Sequence, residues 1–191
     1  VWPGGQGHIH RCQDGRNFAD MSNTRIQRRM EALKASGRKA LIPYIVAGDP
    51  TPTVTVPAMH AIVEAGADLI ELGMPFSDPF ADGPVNQRGA ERAINSGMTL
   101  AGVLKTVSEF RKDDNDTPIV LMGYLNPVIA MGETIFCEAS AAAGVDGLLI
   151  VDMPPEEEGS LVQSAKMHGL DLIYLAAPTT TDERLQTIGK A

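Results

Sequence analysis

The sequence is short of basic charge, of cysteine and of long apolar runs. Sixteen Lys and Arg stand against 24 Asp and Glu over 191 residues, a formal net charge of -8. Phosphate backbones are gripped by basic patches, so this balance argues against nucleic acid as a partner. It leaves room for a small anionic substrate held by backbone N–H groups. Two cysteines, Cys12 and Cys137, give neither a disulfide framework nor metal spacing, and point to a reducing cytoplasm. No apolar stretch approaches the ~20 residues that span a bilayer, which argues against a membrane location. There is no Gly-x-Gly-x-x-Gly after a strand pattern and no Walker loop, which disfavours dinucleotide and nucleoside triphosphate sites. The six lysines (34, 39, 105, 112, 166 and 190) fall in helical or loop patterns or at the start of a strand. None sits late on a strand, where a Schiff-base lysine would be expected. His60 and His168 lie in helical patterns and read as solvated or capping residues, not as zinc ligands.

What is present is a soluble globular composition, 43% hydrophobic and 21% charged, long enough to bury one core. Residues 1–20 share no period with the rest and hold the only tryptophan, Trp2. They read as a disordered upstream or non-native leader, and 21–191 as the domain. His8, His10 and Cys12 in that leader make only a weak metal motif. Apolar residues at helical spacing predict a helix over 24–35 (Ile26, Met30, Leu33), closed by Gly37. Another runs from a cap at Thr51 or Thr53 to about 65, where Pro57 implies a late start or a kink. A third covers 98–111 and a last one starts near 181. Apolar runs predict strands near 40–46, 68–72, 118–123, 147–151 and 171–176. The first reads as covered on both faces. Three strands open with one repeated layout: Gly66-Ala-Asp68, Gly144-Val-Asp146 and Gly169-Leu-Asp171, each a helix-ending glycine, a spacer, an aspartate and an apolar run. Strands alternating with helices make an α/β fold with a parallel sheet. Period alone leaves a doubly wound sheet and a (β/α)₈ barrel both open. In either, loops after the strand ends carry function.

Those loops hold the acids: Asp49, Glu71, Asp78, Asp82 and Asp152, with the phenol of Tyr124. Glu71 ends a buried strand, where desolvation disfavours its charged form, while Asp82 sits in a Pro/Gly loop and ionises more easily. Two acids in unlike settings can divide acid and base work. Asp78 and Asp82 also suit turns or caps, and Glu71, Asp82 and Asp152 together could hold Mg²⁺.

The run Glu71-Leu-Gly-Met-Pro-Phe-Ser-Asp-Pro-Phe-Ala-Asp-Gly-Pro84 closely resembles the signature of the tryptophan synthase α chain family. Pro43-Tyr-Ile-Val-Ala-Gly-Asp-Pro50, Met122-Gly-Tyr-Leu-Asn-Pro127 and Asp152-Met-Pro-Pro-Glu156 match its other strand–loop units, in family order across about 21–191. The resemblance implies a (β/α)₈ TIM barrel, of which this sequence holds about five βα units after one N-terminal helix. It also implies a lyase of tryptophan biosynthesis that cleaves indole-3-glycerol phosphate by a retro-aldol step. Glu71 would then be the catalytic acid/base and Asp82 the acid on the indole N–H. Tyr44, Met122 and Tyr124 would line the substrate pocket. Pro75, Asp78, Asp152 and Pro154 would meet a β chain in an α2β2 assembly. No metal and no cofactor are implied in this chain, pyridoxal phosphate belonging to the β chain. The family's phosphate-binding loops follow strands seven and eight, outside these units. Other readings stay open beside the lyase: an inactive fragment, a non-catalytic protein that docks on the β chain, or another phosphate-handling barrel enzyme such as an isomerase or epimerase.

Overall fold

Each helix-ending glycine of the repeated layout turns the chain directly into a strand. Gly66, Gly144 and Gly169 have φ of +105°, +90° and +68°, the left-handed region that a Cβ disfavours. The computed structural model describes residues 24–156 and 159–189; the leader expected at 1–20, with His8, His10 and Cys12, lies outside them. The elements run α1 (Arg25–Ala35), β1 (Tyr44–Val46), α2 (Pro52–Glu64), β2 (Ile70–Gly73), α3 (Pro84–Asn95), α4 (Leu100–Phe110), β3 (Ile119–Gly123), α5 (Leu125–Met131), α6 (Glu133–Ala143), β4 (Gly147–Ile150), α7 (Ser160–Met167), β5 (Asp171–Leu172) and α8 (Asp182–Ile188).

All five strands are parallel and lie in chain order β1-β2-β3-β4-β5. A doubly wound sheet reverses its order at a switch point and carries helices on both faces. Here the order never reverses. One register row, Leu72, Leu121 and Leu148, packs with Met59 of α2, Val103, Val107 and Phe110 of α4, Phe136 of α6 and Leu161 of α7. Each such buried side chain contributes roughly 1.5–3 kcal/mol. The opposite face holds a second cluster, Leu69, Val120 and Leu149, packed against Ile26 and Met30 of α1 and against Met122 and Ile173. The sheet is therefore an arc of a barrel, helices outside, with α1 closing the inner face from below.

The strand-opening aspartates form that floor. Asp68 (2% exposed) accepts the Leu41 N–H at 2.9 Å and faces Arg29 and Arg38 at 3.8 and 3.7 Å. Asp146 (5% exposed) accepts the Ile119 N–H at 2.8 Å, Arg25 of α1 at 2.8 Å and Arg111 at 2.7 Å. Asp171 accepts the Thr24 hydroxyl at 2.8 Å, and Thr24 also caps α1 by accepting the Gln27 N–H. Helix α1 is thus tied to the starts of β2, β4 and β5.

Several expectations are corrected. The first strand is only 44–46 and half-buried, with Leu41 56% exposed; Ile45 and Val46 pack against the main core, and among the described residues the strand pairs with β2. The ladder of β5 has two residues, Asp171 and Leu172, paired with β4. Helix α2 starts at Pro52 and carries Pro57 inside it, so the late start does not occur. Thr51 stands at its N-cap without a capping bond. Two helices were not anticipated: α3, opened by Pro84 at its first turn, and α5, which turns Asn126 and Pro127 from loop into helix. His60 is neither solvated nor capping. Its ring stacks on Phe110 at 4.6 Å between α2 and α4, and its Nε2 is buried without a hydrogen-bond partner among the described residues. His168 does cap, ending α7 with Nδ1 2.8 Å from the Ser164 carbonyl.

Candidate active site at the strand C-terminal ends

Parallel pairing places Glu71 level with Tyr44 and Val120 on the inner face, above the floor cluster. Its carboxyl makes no hydrogen bond or ion pair with a described residue, and burial pushes its pKa above the ordinary carboxylate value. A carboxyl left free and partly desolvated holds and releases a proton nearer neutral pH than an exposed one.

Tyr44 leans across the sheet from the same level and covers Gly73. A Cβ at Gly73 would lie 2.3 Å from the Tyr44 hydroxyl, so only glycine lets this ring lie flat against β2. Burial, and then the negative fields of Asp82, Tyr124 and Glu71, push the Tyr44 pKa well up. The phenol therefore stays protonated, a donor facing the two acids proposed from sequence. Beside it, a cleft of about 240 Å³ runs past Val46 to Asp49, Asn86 and Arg92.

Asp82 lies in the loop between β2 and α3. The Asp82 N–H donates to the Pro79 carbonyl, and its own carbonyl accepts the Gln87 side-chain amide at 2.8 Å. Its carboxylate Oδ2 accepts the Tyr124 hydroxyl at 2.7 Å. Tyr124 follows β3 directly and is buried, its ring flanked by Phe76 and Phe80 at centroid distances of 5.5 and 5.2 Å. Burial and the bond to Asp82 raise the Tyr124 pKa to about 12. Met122 shares the inner face, level with Gly73 and Leu149.

The remaining acids are differently placed. Asp49 is gripped by Arg92 through two bonds, 2.7 and 2.8 Å. Asp152 accepts the Leu125 N–H at 2.8 Å and so caps α5. Asp78 is exposed, and its side chain takes part in no hydrogen bond with a described residue, so the turn or cap role does not hold for its carboxylate. Pro75 and Pro154 are half-buried in the loops after β2 and β4. Among the described residues no three His, Cys, Asp or Glu side chains gather where they could hold a metal ion. The set Glu71, Asp82 and Asp152 is therefore not assembled for Mg²⁺. The partners that composition and spacing did not reveal are Phe76, Phe80 and Arg92. The Pro-Phe-Ser-Asp-Pro-Phe spacing around Tyr124's contacts was the available signal.

Inward acids above a filled floor, at the ends where strands open into loops, define a protein of the (β/α)₈ barrel class with its site at the C-terminal mouth. The chain belongs to the tryptophan synthase alpha chain family, whose sequence model matches residues 30–191. It is 60% identical over 166 residues to the tryptophan synthase alpha chain of Laribacter hongkongensis, covering 87% of this chain and 63% of that one. A crystal structure of tryptophan synthase subunit alpha from Legionella pneumophila superposes with a TM-score of 0.84 at 49% identity, over 87% of this chain and 63% of that one. The tryptophan synthase a2b2 complex of Pyrococcus furiosus superposes with a TM-score of 0.75 at 42% identity, over 79% and 61%. The chain spans about 63% of the length of the curated relatives it matches. The family is one of lyases. No helix of the described residues is long and apolar enough to cross a membrane.

Proposed function

We propose that the protein cleaves indole-3-glycerol phosphate to indole and glyceraldehyde 3-phosphate by a retro-aldol reaction. The observation that carries this reading is the unlike pair at the mouth: a free, partly desolvated Glu71 and a loop-held Asp82. Carbon–carbon cleavage needs an electron sink. Protonating indole C3 and drawing the N–H toward Asp82 makes one, a C2=N1 bond. Glu71 takes the proton of the side-chain hydroxyl, the C3–C bond breaks, and its electron pair returns into the ring. C3 gains one proton and the hydroxyl loses one, so the step balances without a redox partner. Tyr44 and Met122 would border the indole, with the Tyr44 hydroxyl as a donor toward the acids.

In this proposal the protein works in the cytoplasm, beside a β chain that holds pyridoxal phosphate and receives the indole. Pro75, Asp78, Asp152 and Pro154 would face that partner. The exposure of the Asp78 side chain and of Phe80, 66% exposed, supports a contact there. Indole release from indole-3-glycerol phosphate by the full gene product tests the reaction, with and without EDTA. Glu71→Gln and Asp82→Asn should each lose about 10²–10⁴-fold, the range of a positioned acid or base, and EDTA should change nothing. Wild-type turnover by both variants would overturn the carboxylate pair.

A further inference from the structure

We propose that Tyr124 is the positioning residue of the site: its hydroxyl fixes which oxygen of Asp82 meets the substrate. This rests on the reaction proposed above. Asp82 sits in a loop, outside any strand or helix, where a carboxylate would otherwise turn freely about its side-chain torsions. Tyr124 is the opposite case, a buried residue joining the end of β3 to the start of α5, with its ring set between Phe76 and Phe80. Its one hydroxyl makes two bonds to neighbouring positions of the loop. It donates to Asp82 Oδ2 at 2.7 Å and accepts the Ala81 N–H at 3.1 Å. A phenol has one proton and can give it once. With the Ala81 N–H donating in, the phenol proton goes to Asp82. That bond occupies Oδ2 and leaves Oδ1 without a partner among the described residues, open to accept the indole N–H. The loop backbone and the loop acid are thus referred to the same buried atom just past the end of β3, 42 positions from Asp82 in sequence. Tyr44 does not duplicate this, because its hydroxyl makes no hydrogen bond with a described residue.

Tyr124→Phe removes only the hydroxyl and keeps the ring. The test measures kcat and KM for indole release by wild type, Tyr124→Phe, Asp82→Asn and the double variant of the full gene product. Amide hydrogen exchange at Ala81 is followed in parallel. Tyr124→Phe should lower kcat by about 10–100-fold, the scale of a misplaced catalytic group, with KM nearly unchanged. In the Asp82→Asn background it should cost nothing more, and the Ala81 amide should exchange faster. Turnover by Tyr124→Phe within twofold of wild type, or an equal loss in both backgrounds, would overturn the proposal. Loss in Asp82→Asn with none in Tyr124→Phe overturns this assignment alone, wild-type turnover by Asp82→Asn overturns the role of Asp82 and with it this assignment, and no indole release by the wild-type gene product overturns the reaction. Unchanged exchange at Ala81 counts against the lock even where the variant folds poorly and its rate cannot be read.

Discussion

Both ends of the strands carry acids, and the two sets differ in what surrounds them. At the floor, Asp68, Asp146 and Asp171 are each claimed by partners: backbone N–H groups, arginines of α1 or at the end of α4, and the Thr24 hydroxyl. At the mouth, among the described residues, the Glu71 carboxyl has no partner and the Asp82 carboxylate has one phenol. Buried acids with satisfied bonds hold a fold together, whereas an acid left short of partners keeps its bonding capacity for something else. The contrast separates stability from chemistry within one sheet, as the two faces of a (β/α)₈ barrel are divided in general.

The contrast can be broken first at Asp146. Arg111 is 8% exposed and donates to Asp146, Gly144, Thr117 and Asp114. Burial lowers its pKa while the field of Asp146 opposes that shift. Asp146→Ala strands this cation and should cost about 3–5 kcal/mol of unfolding free energy. Denaturant melts of wild type and variant measure it. A loss below about 1 kcal/mol would mean that the floor is not a stabilising network.

A smaller effect is expected at the edge of the same network. Thr24→Ala removes the cap of α1 and the bond to Asp171 together, and should cost about 1 kcal/mol. Burial already raises the Asp171 pKa, opposed by the bond from Thr24. The same melts give this value, and amide exchange in α1 should accelerate more than in α4.

The smallest effect reverses sign between the two ends. The Glu71 pKa is raised in the folded protein, so the folded state binds more protons than the unfolded one between the two pKa values. Stability from Glu71 is therefore present at low pH and lost as pH rises through the folded value. Glu71→Gln never pays that cost. Its melting temperature relative to wild type should climb as pH rises from about 4, the ordinary glutamate value, toward 7. A gap independent of pH would show that Glu71 is not desolvated.

Much of this was legible in the chain. Five strands, the parallel sheet and the acids at Glu71 and Asp82 follow from apolar runs, glycine punctuation and one long motif. The Gly-x-Asp layout announced three strand starts, but not the role of its aspartates. Their arginine partners lie 30 to 121 positions away, and α1 shows only an amphipathic period that fits many docking sites. Helix α3 was missed because Gln, Arg and Glu alternate with small residues over 84–95, leaving few large apolar side chains to mark a face. The strand expected over 40–46 is shorter than its apolar run: pairing begins at Tyr44, and Leu41 and Ile42 ahead of it are exposed. The bond from Tyr124 to Asp82 was not legible, since the loop and the strand end are 42 positions apart in sequence and are brought together by the β2–β3 pairing.

The division between floor and mouth is tested most directly on Glu71 alone, by measuring turnover and unfolding free energy on the same preparation of Glu71→Gln. The account predicts a fall in indole release of at least about 100-fold, with stability at pH 7 equal to wild type or higher. Turnover within a few-fold of wild type, or a loss of stability like that of Asp146→Ala, would contradict it.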